Sequence, residues 1–240
     1  MVAGGKPRHY LDAIRARYPL EMHGVSLGIG GTDPLHKTYL RALKQLMLHI
    51  EPAWVSDHLC LTGVNGLNSH DLLPLPYSDE AIAHLSDRIG QVQDYLGREI
   101  LLENLSTYVE YSDSAKPEWE FLTQVSRRSG CRLLLDVNNI IVSARNHGFD
   151  PEVYLAGLPA ERIWKINLAG HSDYQHYVID THDQDVPDAV WALYESAIRR
   201  FGAISTMIER DADIPPLEVL VSDLGHARQC HALALSGAAQ

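Results

Sequence analysis

The chain has 240 residues, 45% hydrophobic and 21% charged, with a formal net charge of -11. This balance fits one large globular domain over 1–240 and excludes broad nucleic-acid binding, which needs Lys and Arg to neutralise phosphates. Three cysteines, Cys60, Cys131 and Cys230, form no CxxC and read as reduced intracellular thiols. No apolar run is long enough to span a bilayer, and "MVAGGKPRHYLDAIRARYPL" lacks the apolar segment of a secretory signal, so a cytoplasmic protein is expected.

Short apolar runs alternate with helical patterns. The first strand is "LEMHGVSLGI" (20–29). The "GIGGTDP" that follows lacks the GxGxxG spacing of a dinucleotide loop and reads as a turn. Asp33-Pro34 then opens a helix carrying Leu40, Leu43, Leu46 and Met47 at helical spacing. After the strand 53–61, "HDLLPLPYSDEA" (70–81) reads as a rigid Pro-containing loop, either a connector or a substrate wall. Ser78 caps the next helix, which Gly97 ends. Strand 99–105, helix 117–128 and strand "RLLLDVNNI" (132–140) follow. The segment 143–151 could bring His147 toward the site, whereas His36, His49, His84 and His226 read as solvated or packed helical residues. Strand 162–170, a loop over 171–183, helix 187–200, strand 205–211 and a helix over 216–230 complete the chain.

Strand-helix alternation implies a parallel sheet with helices outside, either a (β/α) barrel or a doubly wound open sheet. The strand ends favour the barrel. They carry His23; Asp57 and His58; Glu103 and Asn104; Asp136, Asn138 and Asn139; Asn167; and Glu209 and Asp211. Asp180 and His182 stand two apart in the loop, so in extended chain both side chains point one way. A parallel barrel gathers its strand C-termini on one face, where active sites are built. Carboxylates crowded there need a counter-charge, and a cation supplies it. Mixed imidazole and carboxylate donors suit Fe, Mn or Zn, and the number of donors suits two or three ions with Glu103 bridging.

The motifs "HGVSLGIG", "VSDHLC", "HDLLPLPY", "RIGQVQDYLGREILLEN", "LLLDVNN", "NHGFDP", "LAGH", "IDTHD" and "IERDADIP" closely resemble the DUF692 (UPF0276) family. These are multinuclear non-haem iron-dependent oxidative enzymes that include the methanobactin biosynthesis oxidase. The resemblance runs from about Gly5 onward. It implies a TIM barrel of the xylose-isomerase-like type holding two or three irons. It implies O2-dependent modification of cysteines in a ribosomally made precursor peptide, with a partner protein that presents the peptide leader. Matching motifs place the iron ligands at His23, His58, Glu103, Asp136, Asn139, Asn167, Asp180, His182 and Glu209. Asp57, Asn104, Asn138, His171 and Asp211 are expected around them.

Two departures stand out. The family typically reads "IHLAGH" where this chain has "INLAGH", so Asn167 replaces an imidazole with a harder, weaker donor. The family also begins with roughly forty more residues, including two barrel strands, so about six of eight strands are expected here. Two other readings stay open: a divalent-metal hydrolase or isomerase using Zn or Mn, and an inactive peptide-binding remnant.

Overall fold

The computed structural model describes residues 4–237. Helix α1 (Gly5–Arg15) leads to strand β1 (Met22–Gly24), α2 (Lys37–Ile50) and β2 (Val55–His58). A hairpin of β3 (Leu61–Val64) and β4 (Leu67–Leu73) precedes α3 (Asp79–Leu96), β5 (Leu101–Glu103), α4 (Glu118–Ser129) and β6 (Arg132–Asp136). Then come α5 (Val137–His147), α6 (Pro151–Gly157), β7 (Ile163–Leu168) and the short antiparallel pair β8 (Ser172–Asp173) and β9 (Val178–Ile179). Helix α7 (Asp188–Phe201), β10 (Ser205–Ile208) and α8 (Leu217–Gly237) complete the order. Among the described residues, no helix is long and apolar enough to cross a membrane.

Six strands form one parallel sheet in the order β1-β2-β5-β6-β7-β10. The sheet curls, because Trp54, just before β2, meets Trp164 of β7 with ring centroids 5.1 Å apart. Strand alternation then divides labour between the faces. Val55, Leu102, Leu133, Leu135, Ile166 and Leu168 point outward into one core with Leu85, Ile89, Phe121, Tyr154 and Tyr194 of the helices. Burying each large side chain contributes roughly 2 kcal/mol. The alternate positions, Ser56 and His58, Leu101 and Glu103, Leu134 and Asp136, Lys165 and Asn167, face the concave side. The ladder brings these to one level: His58 pairs with Glu103, and Asp136 with Asn167.

Several boundaries differ from the sequence reading. Helix α2 starts at Lys37, not at Asp33-Pro34, and His36 caps it by accepting from the Tyr39 N–H. Asp33 instead accepts from the N–H groups of Asn65 and Gly66, the hairpin turn between β3 and β4. The proposed loop at 70–81 is strand β4 as far as Leu73. Strand 132–140 ends early, at Asp136, and α5 begins at once. Asp136 is its N-cap, accepting from the Asn139 N–H at 2.7 Å. Helices α1, α5 and α6 were not expected. Among the described residues β1 and β10 each have one neighbour, so the six-stranded sheet is open.

Candidate metal centre

The strand C-termini build a ring from backbone positions that the ladder fixes. His23 of β1 stands beside His58 of β2, their rings 4.6 Å apart at 70° to each other. The Nε2 atoms of both imidazoles face Glu103 Oε2, at 3.3 and 3.6 Å. Each ring is oriented through its other nitrogen. His23 Nδ1 meets Ser56 Oγ at 2.8 Å, and His58 Nδ1 meets the Gly24 carbonyl at 3.2 Å. Orientation through the far nitrogen is the usual arrangement of a metal-binding histidine.

The opposite side is built by the loop after β9 and the segment after β10. His182 Nε2 lies 2.7 Å from Asp180 Oδ1, and its Nδ1 lies 3.4 Å from Asp211 Oδ2 and 3.9 Å from Glu209 Oε2. His182 is held at φ 50, in the left-handed region. Three trios have ligand atoms all within 4.8 Å of one another: His23, His58 and Glu103; His182, Glu209 and Asp211; and Glu103, Asp136 and Glu209. Glu103 and Glu209 are each shared by two trios.

Several buried polar atoms here have no hydrogen-bond partner: Glu103 Oε2, Asp136 Oδ2, Asn139 Oδ1 and Asn167 Oδ1. Such atoms are rare in a fold because each costs its full desolvation. Here every one of them is a metal-capable donor, and all belong to ring residues. The donor set therefore fits metal ions.

The electrostatics agree. Burial, then the neighbouring Asp136, Glu209 and Asp180, pushes the Glu103 carboxyl well above the carboxylate range. Burial and Asp180 push Asp136 up to about 8. Burial pushes His23 down to about 3, leaving a neutral imidazole with a free lone pair. Burial alone would lower His182, but Asp180, Asp136 and Glu209 outweigh it and carry it up to about 9. Carboxylates crowded in this way call for positive charge among them, which a cation would supply.

The structure brings together His23, His58, Glu103, Asp136, Asn139, Asn167, Asp180, His182 and Glu209, and draws Asp211 in with them. Asn167 points inward, its Nδ2 donating to Glu209 Oε2 at 3.0 Å while Oδ1 stays unpaired. Asn104 braces the ring from behind: it accepts from the Asp136 N–H and donates to the Asp136 carbonyl. Asn138 donates to Asp180 Oδ1 at 2.7 Å and is itself met by His171 Nδ1 at 2.6 Å. His171 therefore acts on the ring only through Asn138.

Asp57, expected around the ligands, and His147, which the sequence left open, lie elsewhere. Asp57 points outward, accepting from the Leu27 N–H and contacting Tyr39, so it holds the chain after β1. His147, at the end of α5, faces away from the ring and contacts Thr107 Oγ1 at 2.9 Å. Sequence reasoning missed Ser106 and Tyr108. The Ser106 hydroxyl donates to Asp180 Oδ2, and the Tyr108 hydroxyl accepts from the Asp180 N–H. Their alternation after β5 in "LSTYVEY" was the available signal. A mouth of about 260 Å3 opens over the ring, walled by Asp71 and Leu72 of β4, Leu105 and Tyr108.

Comparison with known proteins gives both a family and a fold. The family model for the RiPP precursor modification enzymes MbnB/TglH/ChrH matches residues 1–232. A UPF0276 protein of Caulobacter vibrioides is 56% identical over 228 residues, covering 95% of this chain and 81% of its own length. One from Anaeromyxobacter sp. is 54% identical over all of this chain and 85% of its own length. Among solved structures, endonuclease IV from Thermus thermophilus superposes with a TM-score of 0.61 at 14% identity, over 96% of this chain and 84% of its own. A D-tagatose 3-epimerase-like protein does so with 0.61 at 11% identity, over 95% and 84%. At these identities the likeness concerns fold alone: the xylose-isomerase-like TIM barrel.

Proposed function

The chain belongs to the RiPP precursor modification enzyme family MbnB/TglH/ChrH, and from that premise we propose that it is a multinuclear non-haem iron oxidase acting on cysteines of a precursor peptide with O2. The observation that carries this reading is the convergence of unpaired buried donors from the ends of β5, β6 and β7 and the first turn of α5. His23, His58, Glu103, Asp136, Asn139, Asn167, Asp180, His182 and Glu209 would hold two or three ions, with Glu103 shared. Asp211, within reach of His182, is a further ligand in this reading. When bound, iron supplies redox chemistry toward O2 and a Lewis acid that favours the thiolate of a substrate cysteine.

The chain's own residues prepare that chemistry. Ser56 and the Gly24 carbonyl fix the ring tautomers of His23 and His58. Asn138 and Ser106 each donate to the Asp180 carboxylate, and the Tyr108 hydroxyl accepts from the Asp180 backbone N–H. Leu72 and Leu105 narrow the mouth and limit water. The protein's own thiols are unsuited to be the substrate: all three are buried, and burial pushes Cys60 up to about 12 and Cys131 up to about 11. The reacting sulfur would come from the peptide, and the family premise favours a leader-binding partner to deliver it.

The test is anaerobic purification without chelators, metal quantification by mass spectrometry, and O2 uptake with cysteine-containing peptides. Two or more irons per chain with peptide-dependent O2 consumption is the expected result. Zinc or manganese alone, with no O2 consumed, would overturn the oxidase reading in favour of a hydrolase or isomerase.

A further inference from the structure

A second cavity, about 460 Å3 in volume, lies outside the ring. The chain leaving β5 is the wall between the two. Leu105, Ser106 and Tyr108 face the ring, whereas Thr107, Val109 and Glu110 face the second cavity. The end of β4 divides in the same way, Asp71 and Leu72 to one side, Pro74 and Leu75 to the other.

The chemistry of this cavity differs from that of the ring. Tyr77, Trp119 and Phe149 supply aromatic faces, with Trp119 and Phe149 5.8 Å apart and both packed on Tyr154. Glu118, the first residue of α4, lines the same space. Among the described residues it makes no ion pair. The nearby ammonium of Lys116 is held by Asp79 and Gln124 instead. Burial pushes the Glu118 carboxyl up to about 8. The Tyr154 hydroxyl beside it is fully buried and lacks a well-formed hydrogen bond. Glu110 adds a second carboxylate at the rim.

A carboxyl without an ion pair beside aromatic faces is an acceptor set for a guanidinium, which stacks on rings and pairs with carboxylates in one geometry. We propose that this cavity is a subsite for an arginine side chain of the same peptide whose cysteine reaches the ring. The inference rests on the reading of the ring as the peptide-modifying centre. The two cavities share one stretch of chain as their wall, and the width of such a layer is on the order of 10 Å. An extended peptide covers that in about three or four residues.

The test follows the indole N–H resonance of Trp119 in the metal-loaded full chain. It is titrated with acetyl-Gly-Gly-Arg-Gly-Gly-amide and with the same peptide carrying citrulline, which keeps the shape and removes the charge. The arginine peptide should shift the resonance saturably, and the citrulline peptide should bind about tenfold more weakly or worse. E118Q should lose about the same factor without changing the metal content. Equal affinity for the two peptides, or no shift at Trp119, would overturn the subsite whatever any variant does. The metal count of the same sample keeps the two readings apart. Iron in the ring without arginine discrimination defeats the subsite alone. Arginine binding to a chain that takes no iron defeats the oxidase reading and leaves the cavity a guanidinium site.

Discussion

The two sides of the ring are built differently. His23, His58 and Glu103 stand on three adjacent strands whose ladder fixes their spacing. His182, Glu209 and Asp211 stand on irregular chain, with His182 in a left-handed conformation; each side has one exposed member, Asp211 here and His23 on the strands. The strand side is rigid before any ion arrives; the loop side must be ordered by its own contacts. Preorganised donors bind at a lower entropic cost, so the strand side should load first and release last.

Glu103→Gln should break that ranking most severely, because Glu103 belongs to the strand-side trio and to the trio that links it to Glu209. Metal affinity should fall at least about 100-fold, read by competition with a chelator. In the metal-free protein the same change should raise the melting temperature, since it removes a buried carboxyl with no partner for Oε2.

Metal-free protein should also lose stability as pH rises from 6.5 to 9. Asp136 titrates near about 3.9 when unfolded and is raised to about 8 in the fold. The folded state therefore holds the extra proton, and stability drops as pH climbs through that window. His182, raised to about 9, contributes stability below its unfolded value that is lost over the same interval. His23, lowered to about 3, acts on the other side: its contribution is lost as pH falls below about 6.5. A drop of roughly 5 °C or more between pH 6.5 and 8.5 is expected by scanning calorimetry. Metal should reverse the trend, because its ligands must be deprotonated.

His182→Ala should remove about one ion per chain and spare the strand side, read by metal analysis after desalting. Equal loss from both sides would show that the ring loads as one unit. Asn167→His should tighten iron binding by about tenfold, since it adds an imidazole where an unpaired carboxamide oxygen now points inward. Tyr108→Phe should have the smallest effect. It removes the acceptor for the Asp180 N–H, worth about 1 kcal/mol, and should weaken the loop side less than tenfold.

The strand side was also the more legible of the two in the sequence. A buried run that ends in His or Glu announces an inward-facing donor because alternation has period two, and His58 and Glu103 could be placed that way. Asn138 and Asn139 could not be assigned to a helix by periodicity. "LLLDVNNI" is buried throughout, so strand and helix look alike; only Asp136 three residues before Asn139, as a cap, marks the switch. The hairpin carried a usable signal in Asn65-Gly66, both at positive φ. Asp180 and His182 do meet, but through a left-handed residue at His182 instead of the extended chain expected, and the support from Asn138 arises from a tertiary contact that no local pattern encodes.

Asp136 joins two tasks in one side chain. Its Oδ1 starts α5 by holding the Asn139 N–H, and its Oδ2 is left free at the ring. A carboxylate tethered in this way cannot swing to follow an ion of a different radius without unwinding the first turn of the helix. Asn139, in that same turn, would have to move with it. On the proposed reading, the centre would be selective by stiffness as well as by donor type: an ion too large for the span between β6 and its neighbours would meet resistance from a helix, not from a rotamer.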